Sequence, residues 1–316
     1  MTRVAVVDIG TNSTRLLIAD VDPRTSQLTP ISRRSTVTRL GAGVEQTGVL
    51  SGAAMQRVFE ALDLYAVEIG GADVVDHRVA VLTSAVRDAA NGADFTARVK
   101  HDYGLDARTI PGELEARLSY RGATSGRAPS PEPVVVVDIG GGSTEIIIGQ
   151  DDVVLFHHST QVGVVRHTER HIHHDPALPD ELAALAADAR PVFADAVPPA
   201  LTARATRMIA VAGTATSLSA ISQELEPYDA ARVHGSHLTI AEIERMRDDL
   251  AAMPNARRRA VPGLHPDRAP TIVAGAVLLH ELMDLFGVAE IEVSERDILH
   301  GVALAEAGSQ SVSADA

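Results

Sequence analysis

The chain has 316 residues, of which 45% are hydrophobic, and a formal net charge of −14. This length allows two hydrophobic cores, and the excess of acidic groups disfavours nonspecific binding to nucleic acids. Without cysteine there are no disulfides and no thiolate metal sites, and no apolar run is long enough to span a bilayer. Because strand-like sequence begins almost at the N-terminus without a preceding signal peptide, we expect a cytoplasmic protein with no membrane partner.

The first predicted element is a hairpin over residues 4–20, and its sequence recurs later in the chain. Residues 7–15 read VDIGTNSTR and residues 137–145 read VDIGGGSTE, so six of nine positions are identical. In both copies a β-branched run precedes the turn and another strand-like segment follows it. The chain is therefore expected to contain the same hairpin twice.

The second copy has the more informative turn. The glycines at 140–142 allow a sharp turn that brings backbone N–H groups against an oxyanion, and Ser143 adds a hydroxyl donor. Asp138 and Glu145 flank the turn and offer hard oxygen ligands of the kind that Mg²⁺ accepts. A P-loop or a dinucleotide fingerprint needs a helix directly after the glycines, so neither fits. The plain alternative is a hairpin whose glycines serve only the turn.

Between the two hairpins, strands and helices are predicted to alternate. Apolar residues from 55 to 69 have helical spacing, with Ser51 as N-cap, and residues 78–82 form a strand. The following TSAVRDAAN predicts a helix that carries Arg87, near a strand end where ligands gather in open α/β sheets. A solvated helix arginine is the alternative. The next helix starts in IPGELEARLSY, where an acid such as Glu113 could simply complement the helix dipole.

Residues 125–133, SGRAPSPEP, are rich in proline and serine, and we place the domain boundary there. The predicted domains are 1–128 and 129–297. We expect the C-terminal helix, about 298–316, to pack back on the first domain.

The second half repeats the alternation of strands and helices. Strands are predicted at 134–138, 145–148, 153–157, 208–211 and 291–293, and helices at about 163–171, 180–197, 240–252, 270–286 and 297–307. The turn at Gly213 and Thr214 ends a buried strand and opens a helix, which indicates an anion contact or a simple N-cap motif. Arg268, before a later helix, could reach a ligand or only pair with its neighbours.

A histidine-rich patch lies between residues 167 and 174. His167 and His171 have the i,i+4 spacing that could hold a transition metal. The adjoining DPALPD is a loop, so a solvated, variable surface is the simpler interpretation.

Taken in order, several motifs resemble the exopolyphosphatase and guanosine pentaphosphate phosphohydrolase (Ppx/GppA) family from about residue 4 to residue 306. They are DIGTNSTR, LGAGVEQTG, TSAVRDAAN, PGELEARL, DIGGGSTE, GTATSL, VHG and GLHPDRA. The overall alternation also resembles the actin/hexokinase/Hsp70 superfamily. This resemblance implies an α/β fold with two ribonuclease H-like domains facing each other across a cleft.

The resemblance also implies roles for individual residues. Glu115 matches the catalytic base, although the family commonly has an acid where this chain has Leu114. Asp138 and Glu145 match the metal positions, for Mg²⁺ with Mn²⁺ as the alternative. The turns and the arginines Arg15 and Arg87 match phosphate contacts. With the candidates above, the predicted phosphate-binding residues are Thr11, Asn12, Ser13, Arg15, Arg87, Gly140, Gly141, Gly142, Ser143, Gly213, Thr214 and Arg268.

The expected activity is hydrolysis of the terminal phosphoanhydride of inorganic polyphosphate. Because the further C-terminal domains of longer family members are missing from this sequence, we expect short chains to be preferred. The alternative substrate is guanosine pentaphosphate (pppGpp), which would connect the chain to the stringent response. One competing hypothesis is an ATP-dependent kinase of the same superfamily. Another is a (p)ppGpp sensor without turnover, and Leu114 is the only residue that favours the sensor. We expect a homodimer that binds no nucleic acid.

Overall fold

The computed structural model describes residues 1–127 and 132–309. The strands are β1 (Thr2–Ile9), β2 (Ser13–Asp22), β3 (Gln27–Val37), β4 (His77–Leu82), β5 (Asp106–Thr109), β6 (Val134–Ile139), β7 (Thr144–Gln150), β8 (Val153–Thr160), β9 (Arg207–Val211), β10 (His237–Thr239) and β11 (Glu290–Ser294). The helices are α1 (Val44–Thr47), α2 (Gly52–Gly71), α3 (Ser84–Asp88), α4 (Gly92–Tyr103), α5 (Gly112–Thr124), α6 (Val164–His171), α7 (Pro179–Ala196), α8 (Pro199–Thr202), α9 (Ala212–Ser222), α10 (Ala230–Val233), α11 (Ile240–Ala251), α12 (Asn255–Arg258), α13 (Ile272–Phe286) and α14 (Ile298–Ser309), with a 3₁₀ turn at Pro266–Arg268.

The chain divides into two compact units. The first unit comprises Met1–Arg127 and the C-terminal segment that begins at Arg296, and the second unit ends at Glu295. The middle of the predicted boundary segment, 128–131, lies outside the described residues. The C-terminal helix predicted for 298–316 is observed as α14, and 310–316 also lie outside the described residues.

The two units have sheets of the same design. The first sheet has the order β3-β2-β1-β4-β5, and the second has β8-β7-β6-β9-β11 with β10 added at its edge. In each sheet the first three strands in sequence are antiparallel and the next strand pairs parallel to the first. This is the strand order of a ribonuclease H-like domain, so the predicted α/β fold class is confirmed. Within 1–127 and 132–309, no helix is both long and apolar enough to cross a bilayer.

The burial of β1 on both faces explains why its sequence is almost continuously apolar. Val4 and Val6 pack with Leu299 and Val302 of α14, whereas Ala5 and Val7 belong to the core that contains α2. A strand buried on both faces cannot alternate apolar with polar residues. Ser51 caps α2 as predicted, because its side chain accepts a hydrogen bond from the Ala54 N–H.

The strands β3 and β10 are both edge strands, and neither was predicted from the sequence. Most residues of β3 are exposed or partly exposed, and the strand contains Pro30, Arg33 and Arg34. Proline and charged side chains are tolerated at sheet edges, where they also oppose pairing with other chains. Such a strand has no periodic apolar pattern by which it could be recognised.

The helices α5 and α14 of the first unit cross at two glycines. A Cβ atom added at Gly301 would lie 1.8 Å from the Leu118 carbonyl oxygen, and one added at Gly122 would lie 1.8 Å from the Asp297 carbonyl oxygen. Both clashes are with backbone, so no side-chain rotation relieves them. This close approach fixes α5 on the first unit.

We expect Gly301→Ala to destabilise the chain by about 2 to 3 kcal/mol through overpacking at the crossing. The matched control is Gly308→Ala in the same helix, where an added Cβ has no neighbour within 4 Å. The control should change stability by no more than about 1 kcal/mol, in the favourable direction. Urea unfolding followed by circular dichroism compares the two variants, and equal midpoints would show that the crossing is not tight.

Candidate active site

The hairpin of the second unit has the predicted strand, turn and strand. β6 and β7 pair antiparallel with Asp138 opposite Glu145, and the Gly140 N–H donates to the Ser143 carbonyl oxygen at 2.9 Å. Directly opposed residues of an antiparallel pair point to the same face of the sheet. The two carboxylates therefore share one face, beside the glycine turn.

The carbonyl oxygens of this turn are held from one side by α6. Residues 164–166 donate to the three glycine carbonyl oxygens: Val164 N to Gly140 O at 2.9 Å, Val165 N to Gly141 O at 2.9 Å and Arg166 Nε to Gly142 O at 3.1 Å. In a trans peptide the C=O and the following N–H point in opposite directions. The N–H groups of residues 141–143 are thus directed away from α6, which is the arrangement that an anion-binding turn requires.

The hairpin of the first unit repeats this arrangement with a different supporting segment. The Gly10 N–H donates to the Ser13 carbonyl oxygen at 3.0 Å. The segment 38–41 holds the turn's carbonyl oxygens: Thr38 N and Arg39 N donate to Asn12 O at 3.0 and 2.8 Å, and Gly41 N donates to Thr11 O at 2.8 Å. By the same geometry the N–H groups of Asn12 and Ser13 point away from that segment.

The carboxylates of the second hairpin form a donor set that suits a hard divalent cation. Glu145 is buried and accepts a hydrogen bond from the Ser159 hydroxyl at 2.8 Å, while Asp138 is partly buried. Two acids directly opposite each other repel unless positive charge lies nearby. Carboxylate oxygens are the protein ligands that Mg²⁺ prefers, so Asp138 and Glu145 fit this ion.

In the first hairpin the residue opposite the aspartate is an arginine. Arg15 Nη2 lies 2.6 Å from Asp8 Oδ2, and Arg15 also binds Asp297, which Arg33 contacts at 3.2 Å. Burial opposes ionisation of Asp297, but Arg15 and Arg33 outweigh it and hold the pKa of Asp297 below its usual value. Burial raises the pKa of Asp8 despite its contact with Arg15. Arg15 is therefore engaged by two acids, and its contact with phosphate stays a prediction.

The structure brings Arg87 and Glu115 together. Arg87 Nη1 lies 3.0 Å from Glu115 Oε2 and donates to the Ile110 carbonyl oxygen, also at 3.0 Å. The Glu115 side chain is 12% exposed, whereas the Glu113 side chain is 61% exposed and pairs with Arg117 along the helix. Glu113 is therefore a solvent-exposed acid of the first helical turn, whereas Glu115 is the mostly buried acid, and its cationic partner is Arg87.

Arg87 is also close in the fold to the first hairpin turn. The Thr11 hydroxyl lies 2.8 Å from the Ser84 hydroxyl, at the start of the helix that carries Arg87. Both segments follow the carboxyl ends of parallel neighbours, β1 and β4. The first unit thus gathers Thr11, Arg87 and Glu115 at the edge where α/β sheets place their ligands.

The third predicted turn lies at the junction of β9 and α9. Ala212 has a φ of 61°, an uncommon value for a residue with a Cβ atom. The Thr214 hydroxyl donates to the Ile139 carbonyl oxygen at 3.2 Å, and Arg268 Nη1 donates to Gly213 O at 3.0 Å and to Ser217 Oγ at 2.9 Å. These contacts connect the turn to the end of β6 and to Arg268. The roles of Gly213, Thr214 and Arg268 in phosphate binding stay predictions.

The solvated interpretation of the histidine patch is wrong for one residue. His173 and His174 are exposed, but His167 is 1% exposed and lies against α7 with His171. Burial lowers the pKa of His167, so its imidazole is neutral at neutral pH. The sequence around His167 does not indicate that its side chain faces inward, although Val164 and Val165 are apolar.

The sequence analysis missed the residues that support the site. Arg166 and Gly163 support the second turn, and Thr38, Arg39 and Gly41 support the first. An added Cβ at Gly163 would lie 2.5 Å from Gly141 O, and one at Gly41 would lie 2.3 Å from Thr11 Cγ2. The signal was available, because each third strand of a repeated hairpin is followed by a buried apolar residue and a glycine, Leu40-Gly41 and Val162-Gly163.

Comparison with known proteins identifies the family of the chain. A family model described as the Ppx/GppA phosphatase family matches residues 17–310. Exopolyphosphatase 2 of Mycobacterium tuberculosis is 39% identical, over 98% of this chain and 99% of that protein. A guanosine-5'-triphosphate,3'-diphosphate pyrophosphatase of Pseudoalteromonas translucida is 28% identical, over 94% of this chain and 58% of that protein. The crystal structure of the Aquifex aeolicus Ppx/GppA family member is 30% identical, with a TM-score of 0.81 over 100% of this chain and 99% of that one. The chain belongs to the Ppx/GppA phosphatase family.

Proposed function

We propose that the chain is an exopolyphosphatase, which hydrolyses the terminal phosphoanhydride of inorganic polyphosphate and releases orthophosphate. The observation that carries this proposal is the contact between Arg87 and Glu115 beside the first hairpin turn. In this proposal Arg87 binds phosphate and the adjacent Glu115 carboxylate accepts a proton. The 39% identity with an exopolyphosphatase along nearly the whole chain supports polyphosphate as the substrate.

Glu115 is the proposed general base. Hydrolysis needs a water molecule in line with the scissile bond and a group that orients or deprotonates it. The partly buried Glu115 carboxylate, oriented by Arg87, supplies that group. In the first unit, Arg87 and the outward N–H groups of the hairpin turn would bind the phosphoryl oxygens, on which negative charge accumulates. The acceptor is then water and not a substrate hydroxyl.

Asp138 and Glu145 are the proposed ligands of Mg²⁺, with Mn²⁺ as the alternative ion. When bound, the ion would neutralise charge on the phosphate oxygens. Ser159 holds Glu145 by a hydrogen bond to Oε1, so the carboxylate is oriented before any ion binds. The glycine turn next to both acids would place the phosphate within reach of the ion.

A pppGpp phosphohydrolase is the second candidate, because a relative at 28% identity carries that activity in its name. A parallel assay with short polyphosphate, long polyphosphate, pppGpp and ATP separates the candidates through orthophosphate release. We expect polyphosphate to be the best substrate. Its kcat/KM per chain end should stop rising with polyphosphate length once the chains exceed a short length. Because the protein has a net charge of −14, few lysine and arginine side chains are available to bind the phosphates far from the cleaved end of polyphosphate. Preference for pppGpp would favour the second candidate, and binding of pppGpp without phosphate release would favour a sensor.

We expect Glu115→Gln to lower kcat by about 10² to 10⁴ while KM stays nearly unchanged. The amide keeps the shape of the side chain but cannot accept the proton of the attacking water. Glu113→Gln is the matched control, because Glu113 lies on the same helix turn with an exposed side chain. Loss of kcat in the control, with near-native kcat in Glu115→Gln, would contradict the assignment.

We expect Asp138→Asn and Glu145→Gln to raise the Mg²⁺ concentration needed for half-maximal activity, since a neutral amide is a poorer ligand for a hard ion. Asp152→Asn, an exposed residue in the turn between β7 and β8, is the control and should leave the Mg²⁺ dependence unchanged. Metal titrations of phosphate release measure the effect. Full activity of the wild-type chain in excess EDTA would remove the metal from the mechanism.

A further inference from the structure

The helices α6 and α7 of the second unit share a cluster of metal-ligating side chains away from the candidate active site. It consists of His167 and His171 of α6 and Asp188 of α7, and we call it the His–His–Asp cluster. One ligand atom from each residue lies within 4.8 Å of the other two. His171 Nε2 lies 2.8 Å from Asp188 Oδ2, and His167 Nε2 lies 3.6 Å from the same oxygen.

We propose that the His–His–Asp cluster is a binding site for a transition-metal dication of the zinc type, held by two imidazole nitrogens and one carboxylate. Two histidines and one acid form a common ligand set for zinc when a water molecule completes the tetrahedron. With bonds of about 2.0 to 2.1 Å, a tetrahedral ion keeps its ligand atoms about 3.3 Å apart. The two nitrogen–oxygen separations, 2.8 and 3.6 Å, lie on either side of this value, so small side-chain movements bring Asp188 into position between the two imidazoles.

The orientation of His167 supports this assignment. Its ring is almost completely buried, and its Nδ1 lies 3.2 Å from the Gly163 carbonyl oxygen, to which a protonated Nδ1 donates, and 3.3 Å from the Gly163 nitrogen, whose N–H donates to an unprotonated Nδ1. With a metal on Nε2, the Nδ1–H donates to that carbonyl. A backbone carbonyl on the far nitrogen is a common partner of a metal-binding histidine, because it fixes both the tautomer and the ring orientation.

Asp188 of the cluster already pairs with a cationic side chain, and the aspartate is accessible from solvent. Arg170 Nη1 lies 2.9 Å from Asp188 Oδ2, with the arginine side chain 47% exposed and the aspartate side chain 36% exposed. Because the arginine side chain is 47% exposed, the guanidinium can move toward solvent when a metal ion takes the carboxylate oxygen. The ion can approach the cluster from the side of the partly exposed Asp188.

A bound ion would join two helices at the base of the glycine turn. The α6 residues that precede the cluster, Val164 to Arg166, hold the carbonyl oxygens of residues 140–142. Linking α6 to α7 would therefore stabilise the segment that supports the turn. The proposal does not depend on the identity of the substrate.

The test is a Zn²⁺ titration of the full chain against a chromophoric chelator, in buffer with excess Mg²⁺ to occupy Asp138 and Glu145. We expect one Zn²⁺ per chain, and a loss of affinity of at least about 10- to 100-fold in His171→Ala and in Asp188→Asn. His173→Ala, which removes an exposed neighbouring histidine outside the cluster, is the matched control and should bind Zn²⁺ like the wild type.

Two further measurements keep the result independent of folding defects. Co²⁺ loading of the wild type should give the intense visible absorption of a tetrahedral site, and Zn²⁺ should raise Tm in the wild type and in His173→Ala only. Circular dichroism without metal establishes that each variant is folded. Absence of Zn²⁺ binding by the wild type, or wild-type affinity in folded His171→Ala and Asp188→Asn, would show that the cluster is only a hydrogen-bonded contact between helices.

Discussion

The geometry of the trans peptide is the constraint on which the candidate site depends. A peptide that offers its carbonyl oxygen to one side must direct the next N–H to the other side. In both hairpin turns the carbonyl oxygens are bound by a neighbouring segment, residues 38–41 in the first unit and residues 164–166 in the second. The outward N–H groups are thereby fixed before any ligand arrives. Preorganised donors of this kind cost no rearrangement when charge develops on a phosphate.

The duplicated hairpin carries two different pairs of charged residues on the same backbone geometry. The register is the same in both copies, with Asp8 opposite Arg15 and Asp138 opposite Glu145. In the first unit the opposed pair is a buried ion pair that Asp297 extends, which makes it a rigid charged support. In the second unit the pair is two acids, the donor set that we propose for a metal ion. A single change of residue type at one register position accounts for the difference.

Much of this organisation follows from the sequence, because local patterns determine it. The two hairpins, the helix starting at Gly213 and the distinction between Glu113 and Glu115 all rest on spacing or on resemblance to the family, and the structure places Glu115 beside Arg87. What the sequence could not predict depends on contacts between distant residues. The inward orientation of His167 is set by packing against α7, the partners of Arg15 lie on β1 and before α14, and the edge strand β3 has no apolar period.

The account makes water the phosphoryl acceptor, activated by a carboxylate of the first unit. The most direct measurement is turnover of polyphosphate in water enriched in heavy oxygen, followed by mass spectrometry of the released orthophosphate. The account predicts that each orthophosphate formed in the first cleavage carries one heavy-oxygen atom from the solvent, and that Glu115→Gln slows its appearance. Orthophosphate without solvent oxygen would show that water does not attack the terminal phosphorus, and transfer of the phosphoryl group to an added hydroxyl compound or nucleotide would contradict hydrolysis as the reaction.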